Sequence, residues 1–333
     1  MPDEHYPRMP PSAPLKDNLV ELVARGSRRA AFSADYRWLI IVAIGLTDGL
    51  GVQWAKFQLT GYIRFVVCFA LIIAISLVYS SRSPRLSEFA RFGAQYLTLL
   101  FLLTLLGYVM VVTNAPLIDS TFDAVDKAAG LDWVAWAGWV TAHPVLHNIL
   151  WLAYASLPIQ TLFGCLYNAH TGAISRNAEI WWITLIGALL TIGISTLLPG
   201  VSAWVYYGLA GMQDFPHMQQ FEAIRTGTWH TIDFGNTQGF TQLPSFHTVL
   251  AIMLTYNLRH NRILLVAAVV LNTLVILSCP TEGGHYFCDI AAGALVAALT
   301  IWVVRKGLLG AANRSEFYCS TIKSRLLSRQ PGA

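Results

Sequence analysis

The chain has 333 residues, of which 55% are hydrophobic and only 12% are charged, and its net charge is +4. Polar residues are too few to cover the surface of a soluble domain of this length. The composition therefore excludes an ordinary water-soluble protein and predicts an all-α integral membrane protein, with the lipid bilayer as its partner. The small net charge does not indicate nucleic-acid binding. The five cysteines lack metal-ligand spacing, so we expect neither a disulfide framework nor a zinc site among them.

Residues 1–36 are polar and lack the apolar core and cleavage site of a signal peptide, which predicts a cytoplasmic tail. The basic C-terminal residues 305–333 predict a second cytoplasmic tail. A membrane-spanning helix requires about 20 mostly apolar residues. Eight stretches are candidates, although the sixth is short: residues 37–54, 60–80, 93–114, 144–168, 178–198, 243–258, 263–280 and 285–304. We therefore expect about eight transmembrane helices.

Between the third and fourth predicted spans, residues 131–143 contain Trp133, Trp136 and Trp139 at helical spacing. This spacing places the three indoles on one side of a helix, and indoles prefer the interface between lipid and water. We expect an interfacial anchor there, without a chemical role.

The distribution of Lys and Arg predicts the orientation, because cytoplasmic loops retain positive charge. With the N-terminus inside, 18 of the 22 Lys and Arg residues fall on the cytoplasmic side, whereas the other side carries Asp119, Asp123, Asp126 and Asp132. Both termini are then cytoplasmic. The sixth and eighth spans both begin at the outer face, where the loop 200–242 also lies. The expected location is a bacterial inner membrane, with these helix starts and this loop on its periplasmic or lumenal face.

The sixth span opens with Leu243-Pro244-Ser245-Phe246-His247. Proline and serine favour the start of a helix. The N–H groups of the first helical turn have no partner within the helix, so such an end can bind an anion. The alternative is that Ser245 only caps the helix and His247 only packs in the bundle.

The eighth span opens with Gly283 and Gly284, followed by His285 and, four residues later, Asp289. Residues four apart share one helical face. An aspartate inside a span is costly unless it is paired, and the imidazole is its nearest expected partner. An aspartate that binds one ring nitrogen leaves the other free to attack an electrophile. The alternative is an Asp–His bridge that only connects two helices.

Together, these two helix starts are expected to place two histidines, a serine hydroxyl and glycine N–H groups on one face. Such a group of donors suits a phosphate, which is negatively charged in the ground state and in the transition state. Phosphoryl transfer through His285 requires a second group that protonates the departing oxygen. His247 is the natural candidate because histidine titrates near neutral pH. No cofactor and no metal is implied by this chemistry.

The motifs PSFH at 244–247 and HYFCD at 285–289 resemble the second and third signatures of the type-2 phosphatidic acid phosphatase superfamily, Pro-Ser-Gly-His and Ser-Arg-x5-His-x3-Asp. The resemblance is to its inositol phosphorylceramide synthase-like branch in particular. It implies a six-helix catalytic core over residues 93–304, preceded by two additional transmembrane helices over residues 37–92.

By this resemblance, His285 forms a phosphohistidine, Asp289 orients it, His247 protonates the leaving alcohol and Ser245 helps to hold the phosphate. The glycines Gly283 and Gly284 offer further N–H donors. The implied activity is that of a lipid phosphate phosphatase or phosphotransferase. Its partners are a lipid phosphate substrate and, in the case of transfer, a second alcohol as acceptor.

The chain departs from the family pattern at several positions. Phe246 replaces the glycine of the second motif, Cys279 stands where the third motif has arginine, and no Lys-x6-Arg-Pro precedes them. Arg225 is the only Lys or Arg in the loop 200–242 and is therefore the candidate phosphate ligand by elimination, a solvated loop arginine being the alternative. Glu282 and Phe246 are candidate specificity residues. Glu282 is expected to pair with Arg225 or to bind hydroxyl groups of an acceptor or headgroup.

Two other classes remain open. In a transporter, intramembrane His and Asp residues relay ions, although here they gather at one face and no chain of acids crosses the bilayer. A zinc site formed by His247, His285 and Asp289 is also compatible with the residue types. Within the enzyme class, these residues do not distinguish hydrolysis from transfer to an alcohol.

Overall fold

The computed structural model describes residues 36–211, 216–235, 237 and 239–309. The two tails predicted for residues 1–36 and 305–333 lie almost entirely outside them. Thirteen α-helices and one short sheet occur in the described residues. The helices are α1 (36–54), α2 (Ile63–Val78), α3 (Pro84–Val111), α4 (Asp119–Ala128), α5 (Trp133–Thr141), α6 (Pro144–Ala155), α7 (Leu157–His170), α8 (Ile174–Leu197), α9 (Ala203–Tyr206), α10 (Pro216–Arg225), α11 (Phe246–Asn257), α12 (Arg262–Glu282) and α13 (Phe287–Val303), which continues as a π-helical turn (Val304–Leu309).

Among the described residues, four helices are long and apolar enough to cross a membrane, which indicates a membrane protein: α3, α8, α12 and α13. The pair α6 and α7 forms a fifth candidate span, bent by 46°. The bend follows from Pro158, which has no N–H to donate to the carbonyl four residues earlier.

The predicted count of eight spans is not established by these helices. α11 has only 12 residues and α2 has 16. At 1.5 Å per residue, α11 is about 18 Å long and shorter than the hydrocarbon core of a bilayer, which is about 30 Å thick. The count of eight and the six-helix core therefore stay predictions.

A small parallel sheet was not expected from the sequence. β1 (Gln58–Thr60) pairs with β2 (Thr231–Asp233), and so connects the segment after α1 to the segment after α10. An apolar cluster that includes Phe57, Phe221 and Ile232 supports this connection. The described part of the chain is thus mostly helical, with one two-stranded sheet at the end of the molecule where α1 and α10 end.

The turns between α7 and α8 and between α11 and α12 lie together at one end of the helices. Arg259 forms an ion pair with Glu179 at 2.8 Å, and Asn261 donates to the hydroxyl of Tyr167 at 3.2 Å. The opposite ends of α11 and α12, which carry the PSFH and HYFCD motifs, therefore lie away from this basic end. Between the two ends, the buried core contains large side chains from α3, α8, α11 and α12, among them Leu99, Trp181, Met253 and Val275.

Candidate functional site

Two histidines lie side by side where α11 begins and where α12 leads into α13. His247 is the second residue of α11, and His285 lies in the short connection between α12 and α13. The centroids of their rings are 6.3 Å apart and the ring planes are inclined by 60°. His285 is almost completely buried, with 3% of its surface exposed. The structure thus brings together the two imidazoles that the motifs singled out.

Asp289 lies behind His285 and is itself fully buried. Its Oδ2 accepts the N–H of Tyr286 at 2.8 Å and the side-chain amide of Gln242 at 3.0 Å. Nδ1 of His285 is 3.4 Å from the same oxygen and has no hydrogen bond of good geometry within the described residues. Catalytic hydrogen bonds are often long in a site without substrate. The carboxylate is therefore held in place by other donors and faces Nδ1, which leaves Nε2 as the nitrogen directed elsewhere.

Tyr154 contacts His247 directly and was not singled out from the sequence. Its hydroxyl is 3.2 Å from Nδ1 of His247, and the two rings stack with centroids 4.3 Å apart. Tyr154 lies at the end of α6, just before the bend into α7. Because this contact joins two helices far apart in sequence, no local motif could have indicated it.

The two glycines permit close packing around His285. A Cβ on Gly283 would stand 2.7 Å from Cδ2 of His285 and 3.1 Å from the Tyr154 hydroxyl. Gly284 has a φ of +64°, and a side chain there would overlap the hydroxyl of Ser202. The N–H of Gly283 donates to the carbonyl of Cys279 at 3.1 Å. The expectation that this N–H binds phosphate is therefore not supported, because the group already has a partner.

Gln242 connects the aspartate to the glycine turn. Its side-chain amide donates to Asp289, as described above, and to the carbonyl of Gly284 at 2.9 Å. Its own N–H donates to the hydroxyl of Ser195 at 3.2 Å. Gln242 is buried, and only Leu243 separates it from the PSFH segment. Its side chain therefore ties the chain just before PSFH to Asp289 and to the glycine turn.

The N-terminus of α13 is occupied by a carboxylate of the protein. Asp126 accepts the N–H groups of Phe287 and Cys288 at 2.7 and 2.8 Å. The sequence suggested that this helix end would be free to bind a phosphate, and that expectation is wrong for these two N–H groups. Helix N-termini favour negative charge, and here α4 supplies it.

Asp119, also on α4, is buried and supports the same region. It accepts the hydroxyl of Tyr286 at 3.0 Å and the N–H of Val201 at 3.1 Å. Burial raises the pKa of the Asp119 carboxyl, although both of these donors favour its ionised form. Asp119 and Asp126, which the sequence indicated only as negative charge at the outer side, are thus structural partners of the HYFCD segment.

Trp133 corrects the interpretation of the tryptophan segment as a simple membrane anchor. Its indole N–H donates to the carbonyl of His285 at 3.0 Å, and 1% of its surface is exposed. Trp139, by contrast, is 50% exposed. Not all three indoles are therefore available to the interface between lipid and water. Trp133 instead supports the backbone of His285, the proposed nucleophile.

Comparison with known proteins places this arrangement in a family. A family model described as the PAP2 superfamily matches residues 120–303, which is more than half of the chain. The chain belongs to the PAP2 superfamily. The match includes α4 to α13 and both histidines, whereas α1, α2 and α3 precede it. Membership suggests phosphatase or phosphotransferase activity. No curated protein and no solved structure matches the chain significantly.

Of the two PAP2 motif positions described above that differ in this chain, Cys279 is buried and Phe246 is partly buried. The hydroxyl of Ser245 caps α11 by accepting the N–H of Thr248 at 3.4 Å, and it lies 3.8 Å from the sulfur of Cys279. Cys279 is completely buried, so an arginine there would bring its charge into the packed interior. Phe246 packs among apolar residues of the core. The capping alternative for Ser245 is therefore the one that the contacts support.

Among the described residues of this PAP2 protein, no hydrogen bond or ion pair joins Arg225 to either histidine. Its guanidinium donates to the carbonyl of Ala115 at 2.7 Å and lies 3.7 Å from the carboxylate of Glu222. Its contacts fix the segment before α4 to α10. A phosphate ligand role for Arg225 stays a prediction, and these contacts favour a structural role.

Glu282 pairs with a histidine and not with Arg225. Its carboxylate is 3.1 Å from Nε2 of His147, whose side chain is 50% exposed. The expected pairing with Arg225 is therefore wrong. His147 was not singled out from the sequence, because it lies on α6 and meets Glu282 only in the folded chain.

The described residues contain no group of three or more His, Cys, Asp or Glu that could hold a metal ion. The zinc alternative required His247, His285 and Asp289 as ligands. In the structure, Oδ2 of Asp289 instead accepts two hydrogen bonds from protein donors. The arrangement therefore offers two neighbouring imidazoles and a carboxylate that faces one of them.

Proposed function

We propose that this PAP2 protein is a membrane phosphatase or phosphotransferase that acts on a lipid-linked phosphate through a phosphohistidine on His285. The observation that carries the proposal is the pair of imidazoles, whose centroids are 6.3 Å apart, with a buried carboxylate facing one of them. A gap of this size between two rings suits a group that reacts with one and exchanges a proton with the other.

In the first step, Nε2 of His285 attacks phosphorus while the bond from phosphorus to the lipid oxygen breaks. Asp289 faces Nδ1 and stabilises the positive charge that develops on the ring. His247, in its protonated form, gives a proton to the departing oxygen, which leaves as an alcohol. The negative charge of the phosphate favours the protonated form of His247 before the step.

In the second step, an acceptor hydroxyl attacks the phosphohistidine and the bond from nitrogen to phosphorus breaks. His247, now neutral, takes the proton of the acceptor. If the acceptor is water, the product is free phosphate. If it is the hydroxyl of a second lipid or a polyol, the product is a new phosphate ester or diester. Both outcomes restore His285 and the protonated His247.

Transfer to an alcohol is the second candidate, as in the inositol phosphorylceramide synthase-like branch. The replacement of the family arginine by the buried Cys279 favours it, because the sequence departs from the phosphatase pattern at that position. We further propose that the site faces the periplasmic or lumenal side of a bacterial inner membrane. The Lys and Arg distribution supports this orientation.

The test is a panel of lipid phosphates given to the purified protein in nanodiscs, with and without alcohol acceptors, and with release of phosphate and formation of phosphodiester both measured. His285→Ala is expected to lose at least about 10³-fold in turnover, since it removes the nucleophile. His170→Ala, an exposed histidine at the basic end, is the control. Wild-type phosphoprotein that is labile in acid and stable in base supports phosphohistidine. Full turnover in His285→Ala would overturn the proposal.

A further inference from the structure

An apolar cavity of about 680 Å³ adjoins the histidine pair. We propose that this cavity holds an alkyl chain of the lipid substrate, and that α2 forms one of its walls. This inference rests on the proposed function, because it takes the phosphate of the same lipid to lie at His247 and His285.

The walls of the cavity come from the five helices α2, α3, α6, α7 and α11, and almost all of their exposed groups are hydrocarbon. The lining includes Ile72 and Ile75 of α2, Phe89 of α3, Leu162 of α7 and Leu250 of α11. An occupant of such a cavity can bury methylene groups but finds few partners for polar atoms.

The polar side chains that line the walls are already paired. The hydroxyl of Tyr96 lies 3.1 Å from that of Thr184, and the hydroxyl of Thr161 donates to the carbonyl of Leu157 at 2.9 Å. The remaining polar groups are those of His247 and Tyr154. An amphiphile therefore has one favourable orientation, with its polar end at these two residues.

The cavity extends far enough to hold a long chain. Its lining on α3 runs from Leu86 to Leu100, which at 1.5 Å per residue corresponds to about 21 Å along the helix. Leu100 is at the end of this stretch nearer to the site, because it also lines a second, smaller cavity together with Phe246, the residue before His247. A chain attached to a phosphate at His247 would lie along α3.

α2 gives the cavity its outer wall and its opening. It packs along α3, has no buried residues of its own and makes little contact with α7. In this proposal, a lipid enters sideways from the bilayer between α2 and α7, where the two helices make little contact. Because α2 and α3 precede the residues 120–303 that match the family, the chain-binding wall is built from a part of the protein outside the matched region.

Gly93 offers a way to shorten the cavity without touching the histidines. It lines the cavity on α3, and a Cβ added there would stand 3.8 Å from Ile72, so a larger side chain has room to project into the space. Gly93→Leu is expected to lower kcat/KM for long-chain substrates about 10-fold, the change that corresponds to two methylene groups losing their burial. Short-chain phosphates should be turned over as before.

Gly49→Leu is the matched control. Gly49 is exposed on α1, and a Cβ there would meet nothing within 4 Å. Unchanged chain-length preference is expected for this variant. An equal loss in Gly93→Leu for short and long chains, or the same preference as the wild type, would overturn the cavity as the chain site.

A photolabel separates failure of this inference from failure of the proposed function. An alkyl phosphate with a diazirine at the end of its chain is crosslinked to the wild type and to His285→Ala, and the labelled peptides are identified by mass spectrometry. Labelling of α2 or of the first half of α3 in both proteins is expected, even if neither shows turnover. Labelling only of outward-facing α12 residues such as Val266 would overturn the inference. The inference would also be overturned if a neutral lipid suppressed the labelling as well as an unlabelled alkyl phosphate does, because the cavity would then hold ordinary bilayer lipid.

Discussion

The proton donated in the first proposed step depends on how His247 is held, and Tyr154 is the side chain that holds it. Its hydroxyl is 3.2 Å from Nδ1 and its ring stacks on the imidazole, so the other nitrogen is directed to the reacting group. Tyr154→Phe keeps the stacking and removes the hydrogen bond. We expect kcat for alkyl phosphates to fall about 10- to 100-fold, the effect of one hydrogen bond to a charged group, because His247 is protonated before that step.

The leaving group distinguishes this role from general loss of packing. An aryl phosphate with an acidic phenol requires no proton, so its turnover by Tyr154→Phe should stay near that of the wild type. Tyr167→Phe is the control, since its hydroxyl contacts Asn261 at the basic end. If aryl and alkyl phosphates lose the same factor, Tyr154 does not act through His247.

We expect Gln242 to position the proposed nucleophile, because one amide binds both the Asp289 carboxylate and the Gly284 carbonyl. Gln242→Leu leaves a buried carboxylate with one donor fewer. Loss of a hydrogen bond to a charged group corresponds to about 1.5–3 kcal/mol, so kcat is expected to fall about 10- to 100-fold with little change in KM. Gln160→Leu is the control. Gln160 lies on α7, and its loss removes a hydrogen bond to Ser156 and should leave kcat unchanged. A rise in KM alone would contradict the assignment.

The residues of the site that the sequence could predict are those whose chemistry is visible in a short segment. His285 and Asp289 are four residues apart, and His247 follows a proline and a serine at a helix start. Tyr154 and Gln242 were missed because their roles exist only through contacts between distant helices. Arg225 was chosen because the loop has no other Lys or Arg, and elimination takes no account of where a side chain points.

Among the helices, α4 has a role that its negative charge alone did not reveal. Its Asp126 caps α13 by accepting two N–H groups, at 2.7 and 2.8 Å, from a position that is remote in sequence. Asp126→Ala leaves both groups unpaired next to the proposed nucleophile. We expect the free energy of unfolding to fall by about 1–3 kcal/mol and turnover to fall with it. Thermal unfolding in detergent, followed by circular dichroism, measures the first effect.

Asp132→Ala is the matched control for the α4 prediction. Asp132 caps α5 through one hydrogen bond, from the N–H of Ala135 at 2.9 Å, at an exposed position. Its loss is expected to cost less than the loss of Asp126 and to leave turnover unchanged. Equal destabilisation by the two substitutions would show that the link between α4 and α13 is no stronger than an ordinary surface cap.

At the scale of the whole molecule, the sequence predicted what depends on local composition. The long apolar runs of α3, α8, α12 and α13 were recognised as spans because length and hydropathy are sufficient for that purpose. The sheet of β1 and β2 was not recognised, since each strand has only three residues and exists through its partner. The number of spans is not determined by local composition for a similar reason: α11 has only 12 residues, and its packing against neighbouring helices determines its position in the membrane.

The orientation of the molecule in the membrane is the remaining prediction at this scale. Arg259 and Glu179 join two turns at the end opposite to the histidines, and the predicted cytoplasmic side is this basic end. In a background without exposed cysteines, Ala124→Cys on α4 and His170→Cys at the end of α7 place a thiol at each end, both at exposed positions. A membrane-impermeant maleimide should label Ala124→Cys in intact bacterial cells and His170→Cys only after permeabilisation. The reverse pattern would put the histidine pair on the cytoplasmic side and require a lipid phosphate of the inner leaflet as substrate.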